Sequence, residues 1–215
     1  MFTFIFVIFS TIDSFCSETL TKAPAHLLVK HQNKVLSEDE KRLVLQIPFL
    51  PVIEDEMTED SIITEPPEKI LKKWDTIRIP LINGCTDGEG ILGLRMILNR
   101  LQDFEQEPER LVPQLMGKLS ESDRKLTGQE VKRFYFGSRN INENSLSEMR
   151  DLLSDNIFIT NSVVSAEWIA KYQPNVRQYH YRFVYDGKLS ITKKLFNLCH
   201  VSGASHGDDI FYLFR

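Results

Sequence analysis

Residues 77–104 change their periodicity midway, and that change restricts the fold more than any other stretch of the chain. Ile77-Arg78-Ile79-Pro80-Leu81-Ile82 alternates and is rich in β-branched side chains, which predicts a strand. Gly84 and the following Cys85-Thr86-Asp87-Gly88 are expected to stop it, with Glu89 just beyond. Ile91, Leu94, Leu98, Leu101 and Phe104 then recur at helical spacing, predicting an amphipathic helix with one apolar face. A strand that runs through an acid-bearing glycine turn into a helix is a building unit of α/β proteins.

The remainder of the chain extends the pattern. Apolar residues at three- and four-residue spacing predict helices over Arg110 to Leu119, Lys125 to Phe136 and Leu146 to Trp168. Gln178-Tyr179-His180-Tyr181-Arg182-Phe183-Val184-Tyr185 is aromatic and alternating, predicting a second strand closed by Asp186-Gly187. A Gly/Ser loop, Ser202 to Gly207, leads into a last apolar piece, Ile210 to Phe214. Upstream, Leu43 to Pro48 looks extended, Glu54 to Asp60 is an acidic loop, and Pro66-Pro67-Glu68 opens a short helix. No internal repeat or low-complexity tract interrupts the alternation, so the expected class is α/β with a largely parallel sheet.

Composition removes several function classes. Hydrophobic residues make up 42% of the 215 and charged residues 26%, enough apolar material for a core. A formal net charge of −4, without a Lys/Arg stripe among aromatics, argues against nucleic-acid binding. The three cysteines, Cys16, Cys85 and Cys199, form no C-x-x-C pair, and no Asn lies in an N-x-S/T sequon. Phe2 to Phe9 is an apolar run too short to span a bilayer. It fits a signal-peptide core lacking a basic flank, or equally a buried strand of a larger parent.

Two stretches bear on chemistry. Gly203-Ala204-Ser205-His206-Gly207 matches G-x-S-x-G, the nucleophile elbow of α/β-hydrolases. An elbow needs a strand before the serine and a helix directly behind it, with the acid and histidine later in the chain. No histidine follows His206, and Phe196 to Val201 is a poor strand, so the match is expected to be accidental. His206, in a glycine-flanked loop after the strongest strand, occupies instead the place of the fold's general base. Glu89, after an earlier strand, occupies that of the acid, with Asp87 as its alternate. Taken singly, His206 is an ordinary loop histidine and Glu89 an acid favoured by a helix N-terminus. Cys199, His200, His206, Asp208 and Asp209 lack any metal-ligand spacing, so neither metal nor cofactor is expected.

The acid turn Gly84-Cys85-Thr86-Asp87-Gly88-Glu89-Gly90 resembles that of type-B carboxylesterases and cholinesterases, with Thr86 where that family commonly carries Asn. The run from Gly203 to Phe214 resembles the histidine loop of the insect esterase branch, which includes juvenile hormone esterase-like enzymes. Phe49 to Glu54 and Tyr179 to Gly187 agree with the same family. The resemblance implies an incomplete α/β-hydrolase fold: residues 1–17 as an apolar leader and 18–215 as a partial carboxylesterase domain, shortened at both ends. It implies a secreted parent acting on a small-molecule carboxylic ester, with His206 as general acid/base and Glu89 orienting it. It also implies that the serine nucleophile and oxyanion-hole loop lie in an N-terminal half outside this sequence, leaving the chain inactive alone. A disulfide from Cys16 to an upstream partner is implied too, whereas Cys85 and Cys199 are expected to be plain buried thiols. The rival implication is a non-catalytic cholinesterase-like adhesion or binding protein on the same fold.

Overall fold

The computed structural model describes residues 24–31, 36, 40–41, 43–45, 53, 62–73, 77, 79–113, 116–117 and 119–214. The apolar run 2–9, Cys16 and the acidic stretch 54–60 lie outside these residues. The chain divides into two compact units, Met1–Ile70 and Leu71–Arg215. In the first, Ala25–His31 forms helix α1, and Leu36 and Val44 are buried. Helix α2, Pro67–Lys73, begins on a proline with Glu68 in its first turn and lysines in its last, as its sequence predicts.

The second unit holds the two described strands, β1 (Leu81–Thr86) and β2 (Gln178–Phe183), paired in parallel from Leu81 opposite Gln178 to Thr86 opposite Phe183. Parallel strands need a long crossover, and helices supply it. Strand β1 differs from the expected Ile77–Ile82: it starts after Pro80, which cannot donate to a ladder, and continues through Gly84. Gly84 permits pairing rather than ending it, since a Cβ there would lie 2.5 Å from the Tyr181 ring and carbonyl. Strand β2 likewise stops at Phe183, two residues short of the aromatic run.

After β1 the amphipathic stretch is broken rather than continuous. Helix α3 (Ile91–Ile97) passes through a 3-10 turn, Leu98–Arg100, into α4 (Leu101–Gln106). The break rotates the apolar face, so Ile97 is fully buried and Leu98 is not. Ile91, Leu94, Ile97, Leu101 and Phe104 form the centre of the core, each side chain contributing about 1.5–3 kcal/mol by leaving water.

Pro108–Leu111 is a 3-10 turn, where a helix from Arg110 was expected. Helix α5 (Glu121–Phe136) follows, its N-terminus capped by the Ser120 hydroxyl accepting from the Asp123 amide at 3.1 Å and its C-terminus closed by Gly137 at φ +61°. Gly128 lets α5 lie against the Pro108–Glu109 backbone, because a Cβ there would approach the Glu109 nitrogen to 2.4 Å.

The predicted helix from Leu146 to Trp168 is one rod with a fault in it. Helix α6 (Leu146–Ser154) passes through a π-helical turn, Asp155–Ile159, into α7 (Thr160–Tyr172). Helix α7 crosses one face of the sheet: the Ser162 hydroxyl lies 3.1 Å from His180 Nε2 and 3.4 Å from Asn83 Oδ1, and Gln178 Nε2 donates to the Ala166 carbonyl at 2.8 Å. Short helices α8 (Ile191–Leu195) and α9 (Asp208–Leu213) end the chain, α9 forming where the sequence suggested only an apolar piece. No helix among the described residues is long and apolar enough to cross a membrane.

Candidate active site

The carboxyl end of β1 and the loop before α9 are stitched together by backbone. The Gly88 amide donates to the Ala204 carbonyl at 2.9 Å, and Gly88 pairs with Ser205 in an isolated parallel bridge. The approach requires glycine, since a Cβ on Gly88 would lie 2.8 Å from the Ala204 oxygen. Asp87 adds a second stitch, its Oδ1 accepting from the Ala204 amide at 2.8 Å. Asp87 thus ties the two loops together, and the carboxylate that meets His206 is Glu89.

Glu89 and His206, far apart in sequence, are hydrogen-bonded: His206 Nδ1 and Glu89 Oε2 are 2.6 Å apart. The Glu89 side chain is 7% exposed and that of His206 38%. The other oxygen of Glu89 accepts from the Thr86 amide at 2.7 Å, so both carboxylate oxygens are held. The hydrogen bond to Glu89 raises the pKa of His206 above its ordinary value, against the opposing effect of burial, and the charges of Glu89 and Asp209 add to the rise. The Phe158 ring lies against the imidazole, centroids 4.8 Å apart and planes inclined by 36°.

The histidine loop is braced on each side. Gly203 (φ +103°) and Gly207 (φ +78°) bend the backbone in the left-handed region that glycine tolerates. Between them the Ser205 amide donates to Asp208 Oδ2 at 2.8 Å, and burial pushes the Asp208 carboxyl up from its ordinary range. Asp186, just past β2, accepts from the Gly203 amide at 3.0 Å and from Lys193 Nζ at 2.7 Å. Lys193 also donates to the Gly203 carbonyl at 3.1 Å. On α9, Asp209 accepts from the Tyr181 hydroxyl at 2.5 Å, and burial followed by this bond pushes the phenol up to about 12.

Ser205 is wholly buried, and its hydroxyl has no hydrogen-bond partner among the described residues. The segment ahead of it is helix and turn, not strand. Cys85 is buried, and burial with the neighbouring Glu89 charge raises its thiol pKa. Cys199 is exposed, contrary to the expectation of a buried thiol, because it falls in the turn after α8, where Leu198 and Val201 are buried and the two residues between them are not. Among the described residues no group of three or more His, Cys, Asp or Glu side chains is arranged to hold a metal ion.

Sequence reasoning missed Ser154, Phe158, Asp186 and Lys193, all of which touch the acid turn or the histidine loop. Ser154 and Phe158 act from a distant helix, Ser154 across 64 residues, whereas Asp186 and Lys193 lie 17 and 10 residues from Gly203 and gain their roles only once the loop is folded. A serine and an aromatic spaced four apart on a predicted helix was the one available signal.

Residues 13–215 match the carboxylesterase family. Esterase E4 of Myzus persicae is 26% identical over 176 residues, covering 78% of this chain and 31% of its own. A carboxylic ester hydrolase of Bombus ignitus is 24% identical over 213 residues, covering 91% and 36%. The crystal structure of juvenile hormone esterase from Manduca sexta, with OTFP covalently attached, superposes with a TM-score of 0.68 at 25% identity, covering 92% of this chain and 36% of that one. The chain therefore spans about a third of the length of the relatives it matches. The sequence match and the superposition agree that the chain belongs to the carboxylesterase family and carries part of an α/β-hydrolase fold.

Proposed function

We propose that this chain supplies the acid–histidine half of a serine carboxylesterase site, with Glu89 orienting His206 and His206 moving the proton. The observation that carries the reading is the 2.6 Å bond between His206 Nδ1 and the buried Glu89 carboxylate. A carboxylate on Nδ1 fixes the tautomer, so Nε2 is left to take a proton from a serine hydroxyl and return it to the leaving alcohol. The same carboxylate stabilises the imidazolium formed between those steps. The raised His206 pKa supports this assignment.

The nucleophile in this reading is a serine outside the 215 residues. Ser205, which is fully buried and neighbours His206 in sequence, is poorly placed to attack a carbonyl. The isolated chain is then inactive on esters, and a small carboxylic ester is the substrate of the completed enzyme, secreted like the parent that the sequence resemblance implies. Retention of a hydrogen-bonded acid–histidine pair favours this reading over a non-catalytic binding protein on the same fold.

The test compares the 215-residue chain with a form extended by the upstream coding sequence of its own transcript. With a p-nitrophenyl ester, the isolated chain is expected to show no turnover, and the extended form turnover that His206→Ala abolishes. Turnover by the isolated chain that Ser205→Ala removes would overturn the assignment of the nucleophile. An extended form without a G-x-S-x-G serine would support the binding-protein reading instead.

A further inference from the structure

One helical face meets the acid turn and the histidine loop at three points spaced four residues apart. Arg150 on α6 donates through Nη1 to the Ser202 carbonyl at 2.6 Å and lies 2.9 Å from the Ser202 hydroxyl, at the entry to the histidine loop. One turn later, the Ser154 hydroxyl accepts from the Gly90 amide at 2.8 Å, directly beside Glu89, while donating to the Arg150 carbonyl at 2.7 Å. Gly90 is packed so closely there that a Cβ would lie 2.2 Å from the Arg150 carbonyl oxygen. One turn further, Phe158 meets the His206 ring. This third point falls inside the π-helical turn, where the Thr160 amide reaches back to the Asp155 carbonyl. Single π turns inside α-helices recur at functional sites because the extra residue re-aims the side chains that follow. Tyr135 on α5 anchors the start of this turn, its hydroxyl donating to Asp155 Oδ2 at 2.9 Å.

We propose that Phe158 is a positioning residue for the Glu89–His206 pair, its ring holding the imidazole plane and stabilising the imidazolium through its face. The inference rests on the acid–histidine reading given above. A 4.8 Å centroid separation is within the roughly 6 Å at which a cation gains from an aromatic face. The charged groups that influence His206 are Glu89 from the acid turn and Asp209 from α9, both anionic. Phe158 is the uncharged contact on the opposite account: it restrains the ring without adding charge. Asp155, at the head of the π turn, is tied to Tyr135.

The test is an NMR titration of the His206 side chain in the full 215-residue chain. Phe158→Leu keeps an apolar side chain and removes the π face; it is expected to lower the His206 midpoint by about half a unit, with Phe158→Tyr restoring it. Pentafluorophenylalanine at position 158 keeps the shape and reverses the ring quadrupole, and is expected to lower the midpoint as well. It decides the matter should the leucine variant fail to fold. A wild-type midpoint and unchanged imidazole shifts in the pentafluoro protein would overturn the proposal. Glu89→Gln is the separate arm: it is expected to produce the larger fall, and no fall there would sink the acid–histidine pairing while leaving any Phe158 effect visible.

Discussion

Gly88 and Ala204 share a 2.9 Å hydrogen bond that brings the acid turn and the histidine loop to backbone contact. Glu89 follows the first of these residues and His206 lies just past the second, so the side-chain pair is a consequence of the main-chain stitch. Replacing Gly88 by alanine puts a methyl 2.8 Å from the Ala204 oxygen, with neighbouring atoms of Ile91 and Gly203 also close. Overpacking of this kind costs about 1–3 kcal/mol. Chemical denaturation of Gly88→Ala is expected to show that loss, together with a shifted His206 imidazole resonance.

Asp87→Ala removes the acceptor for the Ala204 amide, a bond strengthened by the carboxylate charge. The expected cost is about 1.5–3 kcal/mol by denaturant midpoint. Because the carboxylate meeting His206 is Glu89, Asp87→Asn should leave the His206 titration close to wild type. A collapse of that titration in Asp87→Asn, with Glu89→Gln silent, would reverse the assignment of the acid.

Ser154→Ala leaves the buried Gly90 amide without its hydroxyl acceptor. A stranded buried donor costs about 1–3 kcal/mol. Amide hydrogen exchange should show the change locally, as faster exchange at Gly90 with little effect on β2.

The Glu89–His206 pair also makes stability depend on pH in a defined direction. The folded His206 pKa is raised above the unfolded value, so the contribution is complete below about 6.5 and declines as pH rises through the folded pKa. The melting-temperature difference between wild type and Glu89→Gln is therefore expected to be larger near about pH 5.5 than near about pH 8.5. A difference that grows with pH would contradict the raised pKa.

Lys193→Met tests the brace behind the histidine loop. The Lys193 side chain is 5% exposed and serves both Asp186 and the Gly203 carbonyl. Its loss removes this donor from Asp186 Oδ1 and from the Gly203 carbonyl, at a cost of about 1–3 kcal/mol, moderated because the Gly203 amide still serves Asp186 Oδ2 and water reaches the carboxylate. Denaturation should report the loss, and a neutral result would mean that Asp186 is solvated as well without its partner.

Much of this arrangement is legible in the sequence where the signal is local. The order of strand, glycine turn, acid and helix is visible because each part has its own periodicity, and Glu89 and His206 sit in short glycine-bounded motifs. The boundaries of β1 are displaced because Gly84 looks like a stop in isolation, and only the Tyr181 side chain opposite explains a glycine inside a strand. The π turn escapes notice because an inserted residue leaves three- and four-residue spacing nearly intact on both sides. Ser154, Phe158 and Lys193 gain their roles from partners that the fold alone brings near.

The parallel pairing of β1 with β2 has a kinetic consequence. The Glu89–His206 and Asp87–Ala204 bonds each close across 117 residues. Ring closure over such a length costs about 4 kcal/mol of chain entropy before any contact is gained, and topologies of this kind assemble slowly. Helices formed locally in the intervening chain shorten that search. A signal from the hydrogen-bonded His206 is then a readout that this 117-residue closure within the second unit has been made.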